Sequence, residues 1–407
     1  MKRKKAVIKE LKFIIGLCIL IMLVELIYIL YNVIFPHTES LYFDGSNRIV
    51  EYKNSYIVVG SNNNNDNYYE KAKITRYNKK KEVLFEKIYN VGYNSVYFDT
   101  IVNDDSILAI GSYEKNKNDH KDKVRRGLFV KYDFTGTIIF EKDFKLLDNT
   151  KFTNIIEYQG YYYIVGQSVY KNTRIGSMTG GAIINKYDSS GNIIWSKNFG
   201  DNKTAIFNKM VIVDGYLYVV GGNNYNSGII CKYDFDGNLI NNYDYIYTDK
   251  SGFSDIKYKD NFFYVVGSYK NDNNYDGLVV KYDESFNMIN EVKYSDKENI
   301  RFNRLIVDNK DNIVVLGIGT KDKKKQIKSI DNNDYDGIIG KYSLDLSYID
   351  MVKYGDDRDD YFTDIILSND YYLVTGYSSY EDGSYMSKFI KYSDALKVVE
   401  VDSWKLR

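Results

Sequence analysis

The sequence predicts an all-β chain: a seven-bladed β-propeller of four-stranded antiparallel blades, preceded by one N-terminal transmembrane helix. Three observations predict it. A strand ending in glycine recurs at Gly60, Gly111, Gly166, Gly221, Gly267, Gly317 and Gly376, on average about 53 residues apart. A basic residue followed by tyrosine recurs in step at Tyr77, Tyr132, Tyr187, Tyr233, Tyr282, Tyr342 and Tyr392. An apolar stretch, Phe13 to Phe35, precedes the first copy.

The apolar stretch at about 1.5 Å per residue makes a helix of roughly 34 Å, enough to cross a bilayer. Pro36, the only proline, stands where that helix should stop. Six basic residues on or before Lys12 keep the N-terminus cytoplasmic and put the rest of the chain outside. No Ala-x-Ala site follows and Cys18 lies too early to accept a lipid, so the segment reads as an uncleaved signal anchor. Glu25 is the one acidic residue within it, and the surrounding aliphatic residues outweigh its cost. The expected organisation is a basic tail (1–12), an anchor (13–35), a linker (36–43) and the propeller (44–407).

Each repeat carries a third column, a small residue five positions before the tyrosine: Ala72, Gly127, Ala182, Gly228, Gly277, Gly337 and Ser387. Small residues on strands let neighbouring backbones approach. Asn78, Asp133, Asp188, Asp234, Asp283, Ser343 and Ser393 follow the tyrosines and can start a turn by bonding their own backbone two residues on. Gly136, Gly191 and Gly237 supply the positive φ of such a hairpin. A repeat thus holds strand A (Phe152 to Ile156), strand B (Tyr161 to Val165, apolar throughout and so buried on both faces), strand C (Ala182 to Tyr187) and strand D (Asn192 to Phe199). The last copy keeps its own fourth strand, Leu396 to Trp404, so the ring needs no exchanged strand to close.

Residues 180–200, GGAIINKYDSSGNIIWSKNFG, and residues 127–144, GLFVKYDFTGTIIFEKDF, resemble the bacterial β-propeller repeat known as SBBP. The resemblance covers all seven copies and thins in the last four, where the aromatic of Phe140 and Trp195 becomes Asn241, Asn290, Asp350 and Val399. It implies an exported or surface protein and brings no catalytic motif.

Spacing separates constant from variable parts. From each tyrosine to the Phe opening the next copy (Phe98, Phe152, Phe207, Phe253, Phe302, Phe362) the distance is 20 residues five times and 21 once. From the glycine to the small residue it runs 12, 16, 16, 7, 10, 20 and 11. The variation lies in the B–C connection, and in a four-stranded meander all B–C connections share one face. Polar loops at Ser61 to Asn67, Glu114 to Arg126 and Lys321 to Asp336 therefore form a candidate recognition surface for an envelope protein or a polysaccharide.

Strand A supplies the second candidate. The second polar residue after each Phe gives the column Arg48, Thr100, Asn154, Lys209, Asp255, Arg304 and Asp364. With A innermost, this is a mixed-charge ring at the channel mouth, able to hold a small polar ligand or simply to solvate a water-filled channel.

Composition bounds the chemistry. The 55 Lys+Arg balance 55 Asp+Glu, and residues beyond 40 hold 49 against 52, so no basic surplus suits nucleic acid. Two histidines and two cysteines leave little for metal or thiol chemistry, and no cofactor is expected. Two tryptophans are too few for a quinoprotein channel, and Asp133-Phe-Thr-Gly136 misses the sialidase spacing by one. Asp234-Phe-Asp236-Gly237 hints at a calcium loop but lacks further carboxylates. Asp356-Asp357 and Asp359-Asp360 read as a wet D–A turn rather than an acid/base pair. The 43 tyrosines, with abundant Asn, Lys and Ile, fit an AT-rich genome and pleated strands. The expectation is a non-enzymatic, monomeric propeller at the cell membrane of a bacterium. A polysaccharide binder, or a hydrolase or lyase at the channel mouth, stands as the alternative.

Overall fold

The computed structural model describes residues 45–405, apart from short segments at 64–69, 116–123, 173–176, 201–204, 224–226, 246–249, 272–273, 297–298, 321–334, 356–357 and 380–384. The expected anchor, tail and linker lie outside the described residues, as do Cys18, Glu25, both histidines and the Asp356-Asp357 pair. Among the described residues every regular element is a strand, from β1 (Gly45–Tyr52) to β28 (Val398–Lys405).

Consecutive strands pair antiparallel in groups of four. The third group shows the pattern: β9 (Asn149–Tyr158), β10 (Tyr161–Asn172), β11 (Ser177–Tyr187) and β12 (Ile193–Phe199), paired in that order. These are strands A to D of the repeat, close to the limits expected from sequence. Five groups form separate four-stranded sheets. The second and third are joined into one eight-stranded sheet by a single parallel bridge, Arg125 to Asn149.

The first strands of the seven groups are β1, β5 (Tyr93–Val102), β9, β13 (Ile206–Val213), β17 (Ser251–Lys259), β21 (Asn299–Val307) and β25 (Asp360–Ser368). Each packs against the first strand of the next group, and β1 packs against β25. The succession of sheets therefore closes on itself, with strand A innermost and no strand exchanged at the seam. This is a β-propeller.

The repeat columns are the contacts between neighbouring sheets. The aromatic opening strand A lies under the small residue of strand C in the preceding group. A Cβ added at Gly277 would stand 2.5 Å from Phe302, and one at Gly337 2.6 Å from Phe362. The glycine ending the apolar part of strand B answers a β-bulge on strand A. There the chain carries one extra residue after the aromatic, which presses the preceding carbonyl against strand B. A Cβ at Gly111 would meet the Val96 carbonyl at 1.8 Å, and one at Gly221 the Ile206 carbonyl at 1.9 Å.

Register corrects two alignments. Gly166 pairs with Phe152 and Gly267 with Phe253, but Gly111 pairs with Tyr97, not Phe98. Tyr97 is the second group's column aromatic, and Phe98 occupies the bulge. In the last group Lys391 pairs with Glu400, so Glu400 rather than Val399 stands where Trp195 stands opposite Lys186.

Candidate functional site: the ring of the innermost strands

The bulge on strand A turns two successive side chains toward the neighbouring sheet. The bulged residue donates a hydrogen bond to the carbonyl of the next group's column residue. Asn47 bonds Tyr97 O at 2.8 Å, Thr153 bonds Phe207 O at 2.6 Å, Asn208 bonds Phe253 O at 2.7 Å, and Asn303 bonds Phe362 O at 2.8 Å. Thr363 does the same to Ser46 O across the seam. Phe98 has no such donor.

The following residue is the ring position. The structure gathers Arg48, Asn154, Lys209, Asp255, Arg304 and Asp364 as the sequence column expects, but the seventh member is Asp99, since Ile110 pairs with Asp99 and Val165 with Asn154. Thr100 is excluded: its hydroxyl bonds the Leu108 carbonyl within its own hairpin at 2.8 Å. The signal was present in the spacing, because counting from Tyr97 turns the single 21-residue interval into 20. Every ring position falls inside its strand rather than at an end, as Asn154 does in β9 and Asp364 in β25. The ring is therefore at the waist of the lumen and not at its mouth.

Ring carboxylates and the amide accept the backbone N–H that follows the ring position of the next group. Ile155 N reaches Asp99 Oδ2 at 3.1 Å, Met210 N reaches Asn154 Oδ1 at 3.0 Å, Leu305 N reaches Asp255 Oδ2 at 3.1 Å, and Ile49 N reaches Asp364 Oδ2 at 2.8 Å. The cations lie among them. Arg48 binds Asp364 Oδ1 through Nη1 at 2.8 Å and Asp99 Oδ1 through Nε at 3.0 Å. Asn154 donates to Asp99, and Lys209 Nζ stands 3.5 Å from the same carboxylate, two groups away along the chain. Arg304 Nε is 3.4 Å from Asp364 Oδ1 and its Nη1 donates to the Asn303 carbonyl at 2.9 Å.

Burial and neighbours set the protonation of these groups. Burial opposes ionisation of Asp99, but Lys209 and Arg48 outweigh it and hold the carboxyl below its ordinary range. Burial, reinforced by the Arg48 guanidinium, lowers the Lys209 ammonium to about 8. For Arg48 burial is again the opposing cause, and Asp364 and Asp99 raise its pKa above the usual arginine value. The arrangement offers fixed charge and hydrogen-bond donors. Its one amine, Lys209, lies beside the Asp99 carboxylate.

Other sequence candidates resolve differently. Asp360 is buried at the start of β25, bonded to Ser378 and 2.8 Å from Lys388 Nζ, so it is not part of a wet turn. The Asp234 carboxylate accepts the N–H groups of Asp236 at 2.9 Å and Asn238 at 2.8 Å, which makes it a turn former. Each of the three B–C loop candidates falls partly outside the described residues.

The basic residue before the tyrosine has a role that its repetition in the sequence does not reveal. Lys186 donates to Phe235 O at 3.3 Å, Lys281 to Leu344 O at 2.9 Å and Lys341 to Asp394 O at 2.7 Å, each in the next group's C–D turn. Arg76 does likewise to Phe134 O at 3.1 Å. These cations tie the sheets together on the face opposite the B–C connections.

No family model and no curated protein matches the chain. Among solved structures it is similar to the Dos1 propeller, at 10% identity over 89% of this chain and 93% of that one, with a TM-score of 0.48. The propeller domain of the Trilobed protease from Pyrococcus furiosus is similar at 9% identity over 90% and 96%, with a TM-score of 0.47. A prolyl endopeptidase is similar at 10% identity over 88% and 55%, with a TM-score of 0.45.

Proposed function

We propose that this chain is a seven-bladed, SBBP-type propeller, held at the outer side of a bacterial cytoplasmic membrane by residues 13–35. On this reading it serves as a non-enzymatic scaffold that recruits an envelope protein through the face of its B–C connections. The eight-stranded sheet counts as two blades joined by one bridge.

The observation that carries the reading is that length varies far more at one end of the strands than at the other. Strand β22 (Ile313–Thr320) is followed by β23 (Tyr335–Tyr342), whereas β18 (Phe262–Asn271) is followed by β19 (Asn274–Tyr282). The A–B connections are short, two residues between β9 and β10 and five at most between β21 and β22, and all seven C–D turns repeat one hydrogen-bonded form. Variable connections on a rigid frame are where recognition is added without disturbing a core. The ring chemistry supports a non-enzymatic role, because its carboxylates already hold neighbouring sheets together.

Cross-linking in intact cells tests the reading, followed by pull-down of the full-length protein beside a form with residues 116–123 and 321–334 shortened. An envelope protein captured only by the full-length form supports it. Identical material from both forms, or polysaccharide alone, overturns it.

A further inference from the structure

We propose that the lumen side of the ring binds a small oxyanion, a carboxylate or phosphate group of a soluble ligand, between Arg48 and Arg304. The ring is neutral by count: Arg48, Lys209 and Arg304 against Asp99, Asp255 and Asp364. It is not neutral in what it shows to water. The Asp99 and Asp364 side chains are 2% and 1% exposed, whereas Arg48 and Arg304 are each 21% exposed.

The reason is directional. Each ring carboxylate turns an oxygen into the wall to meet a backbone N–H, at Ile155, Leu305 and Ile49. An arginine cannot accept such a bond, so its guanidinium stays on the lumen side. The fold thus leaves the two guanidiniums more exposed than the ring carboxylates, while Lys209 is buried with them.

The two arginines also converge. Arg48 Nη1 and Arg304 Nε approach the same atom, Asp364 Oδ1, at 2.8 and 3.4 Å. Two guanidinium planes therefore flank one buried oxygen. Arg48 uses Nη1 and Nε in these contacts, and Arg304 uses Nε and Nη1. Among the described residues the Nη2 of neither arginine has a partner, which leaves that edge for an incoming group. A guanidinium fork matches the paired oxygens of carboxylate and phosphate. In a narrow lumen with low-dielectric walls the attraction exceeds that of the same pair on an open surface. Lys209, behind Arg48 on Asp99, adds a third positive charge to the field. A cationic ligand finds its carboxylates already inside the wall.

The test is isothermal titration of the full-length protein in detergent micelles at constant ionic strength, with inorganic phosphate in one arm and acetate in the other. Wild type, Arg304→Gln and the exposed-site control Lys80→Gln are compared. Arg304 is chosen because its hydrogen bond is to the adjacent Asn303 carbonyl, while the seam contacts of Arg48 and Ile49 with Asp364 stay in place. One-to-one binding of either anion is expected, weakened at least tenfold by Arg304→Gln and unchanged by Lys80→Gln. Phosphate alone or acetate alone identifies which oxyanion the site prefers. Near-UV circular dichroism checks the fold. Should Arg304→Gln not fold, Arg304→Lys keeps the charge but not the fork, and at least a threefold loss is expected. Absence of binding in both arms, or equal affinity in wild type and variant, overturns the proposal. The outcome does not depend on whether the B–C face recruits a partner.

Discussion

Asp364 is where the seam, the ring and the two arginines meet. Its carboxylate, almost wholly buried, receives Ile49 N–H, Arg48 and the flank of Arg304. Replacing it with alanine leaves the buried Ile49 amide without its acceptor and takes a carboxylate from Arg48 and Arg304, which keep Asp99 and the Asn303 carbonyl. A loss of about 3–5 kcal/mol is expected in urea unfolding. A loss below 1 kcal/mol would mean that water replaces the carboxylate without penalty.

Lys209 gives the opposite kind of prediction. Its folded pKa of about 8 lies below the unfolded value of 10.5. Between those values the unfolded chain binds more protons than the folded one, so this group's contribution to stability rises as pH climbs from 8 to 10.5. Below pH 8 the contribution is flat and at its least favourable. The stability of wild type relative to Lys209→Met should therefore increase across that window in paired unfolding curves. A difference independent of pH there would show that Lys209 keeps an ordinary pKa.

At the scale of elements, the thinning of the repeat in its last copies has a physical answer. The third residue of strand D and the C–D turn of the next group share one wedge-shaped space. In the first three groups an aromatic fills it from strand D and the turn supplies a glycine: Cβ atoms added at Gly136, Gly191 and Gly237 would lie within 3.0 Å of Phe85, Phe140 and Trp195. In the next three strand D carries Asn241, Asn290 or Asp350, and the turn supplies Phe286, Leu346 or Leu396, all buried. Lys81 takes the turn position at the seam and pairs with Glu400 at 3.1 Å. The turn residue has positive φ in either arrangement, 65° at Phe286 and 78° at Gly237. A non-glycine side chain there costs about 1–2 kcal/mol, which burial offsets.

Phe286→Gly should thus destabilise by ~2 kcal/mol, the lost burial less the relieved strain. Adding Asn241→Trp should restore most of that loss, whereas Asn241→Trp alone should not stabilise. Thermal unfolding of the three variants decides it, and additive effects would refute a shared space.

This device also marks what the sequence made legible. Strand limits, the three columns and the location of variable loops were readable, because each depends on a period within one copy. The bulge on strand A was not, since an extra residue leaves no mark on composition. It moved one ring position from Thr100 to Asp99 where two aromatics, Tyr97 and Phe98, stand together. The exchange of Trp195 with Gly237 for Asn241 with Phe286 was invisible for another reason. Its partners belong to different copies and meet only when the sheets are neighbours.

At the scale of the whole molecule, the seam relies least on apolar packing among the described residues. Ser46 stands where other groups have Phe or Tyr, and it faces Ser387 where most have glycine or alanine. Among the described residues the apolar cluster there holds Ile49, Tyr56, Val58, Tyr77, Leu373 and Phe389, fewer than the other clusters. Polar contacts take over: Ser46 Oγ bonds Gly376 O at 3.2 Å, and Tyr56 Oη lies 3.2 Å from Ser368 Oγ. Amide hydrogen exchange should accordingly be about tenfold faster in β1 than in β17, equivalent to ~1.4 kcal/mol of opening free energy. Equal protection would place the first opening elsewhere.

Because each sheet is built wholly from consecutive strands, the covalent break at the seam coincides with an ordinary junction between sheets. Strand β28 ends, and β1 begins, on the same face as every other D–A connection. A short peptide joining residue 405 to residue 45, with new termini cut between β16 (Leu239–Tyr245) and β17, should give a circular permutant with the same fold. Which sheet comes first is then arbitrary for the fold, and the lumen, the ring and the loop face belong to a closed circuit of sheets.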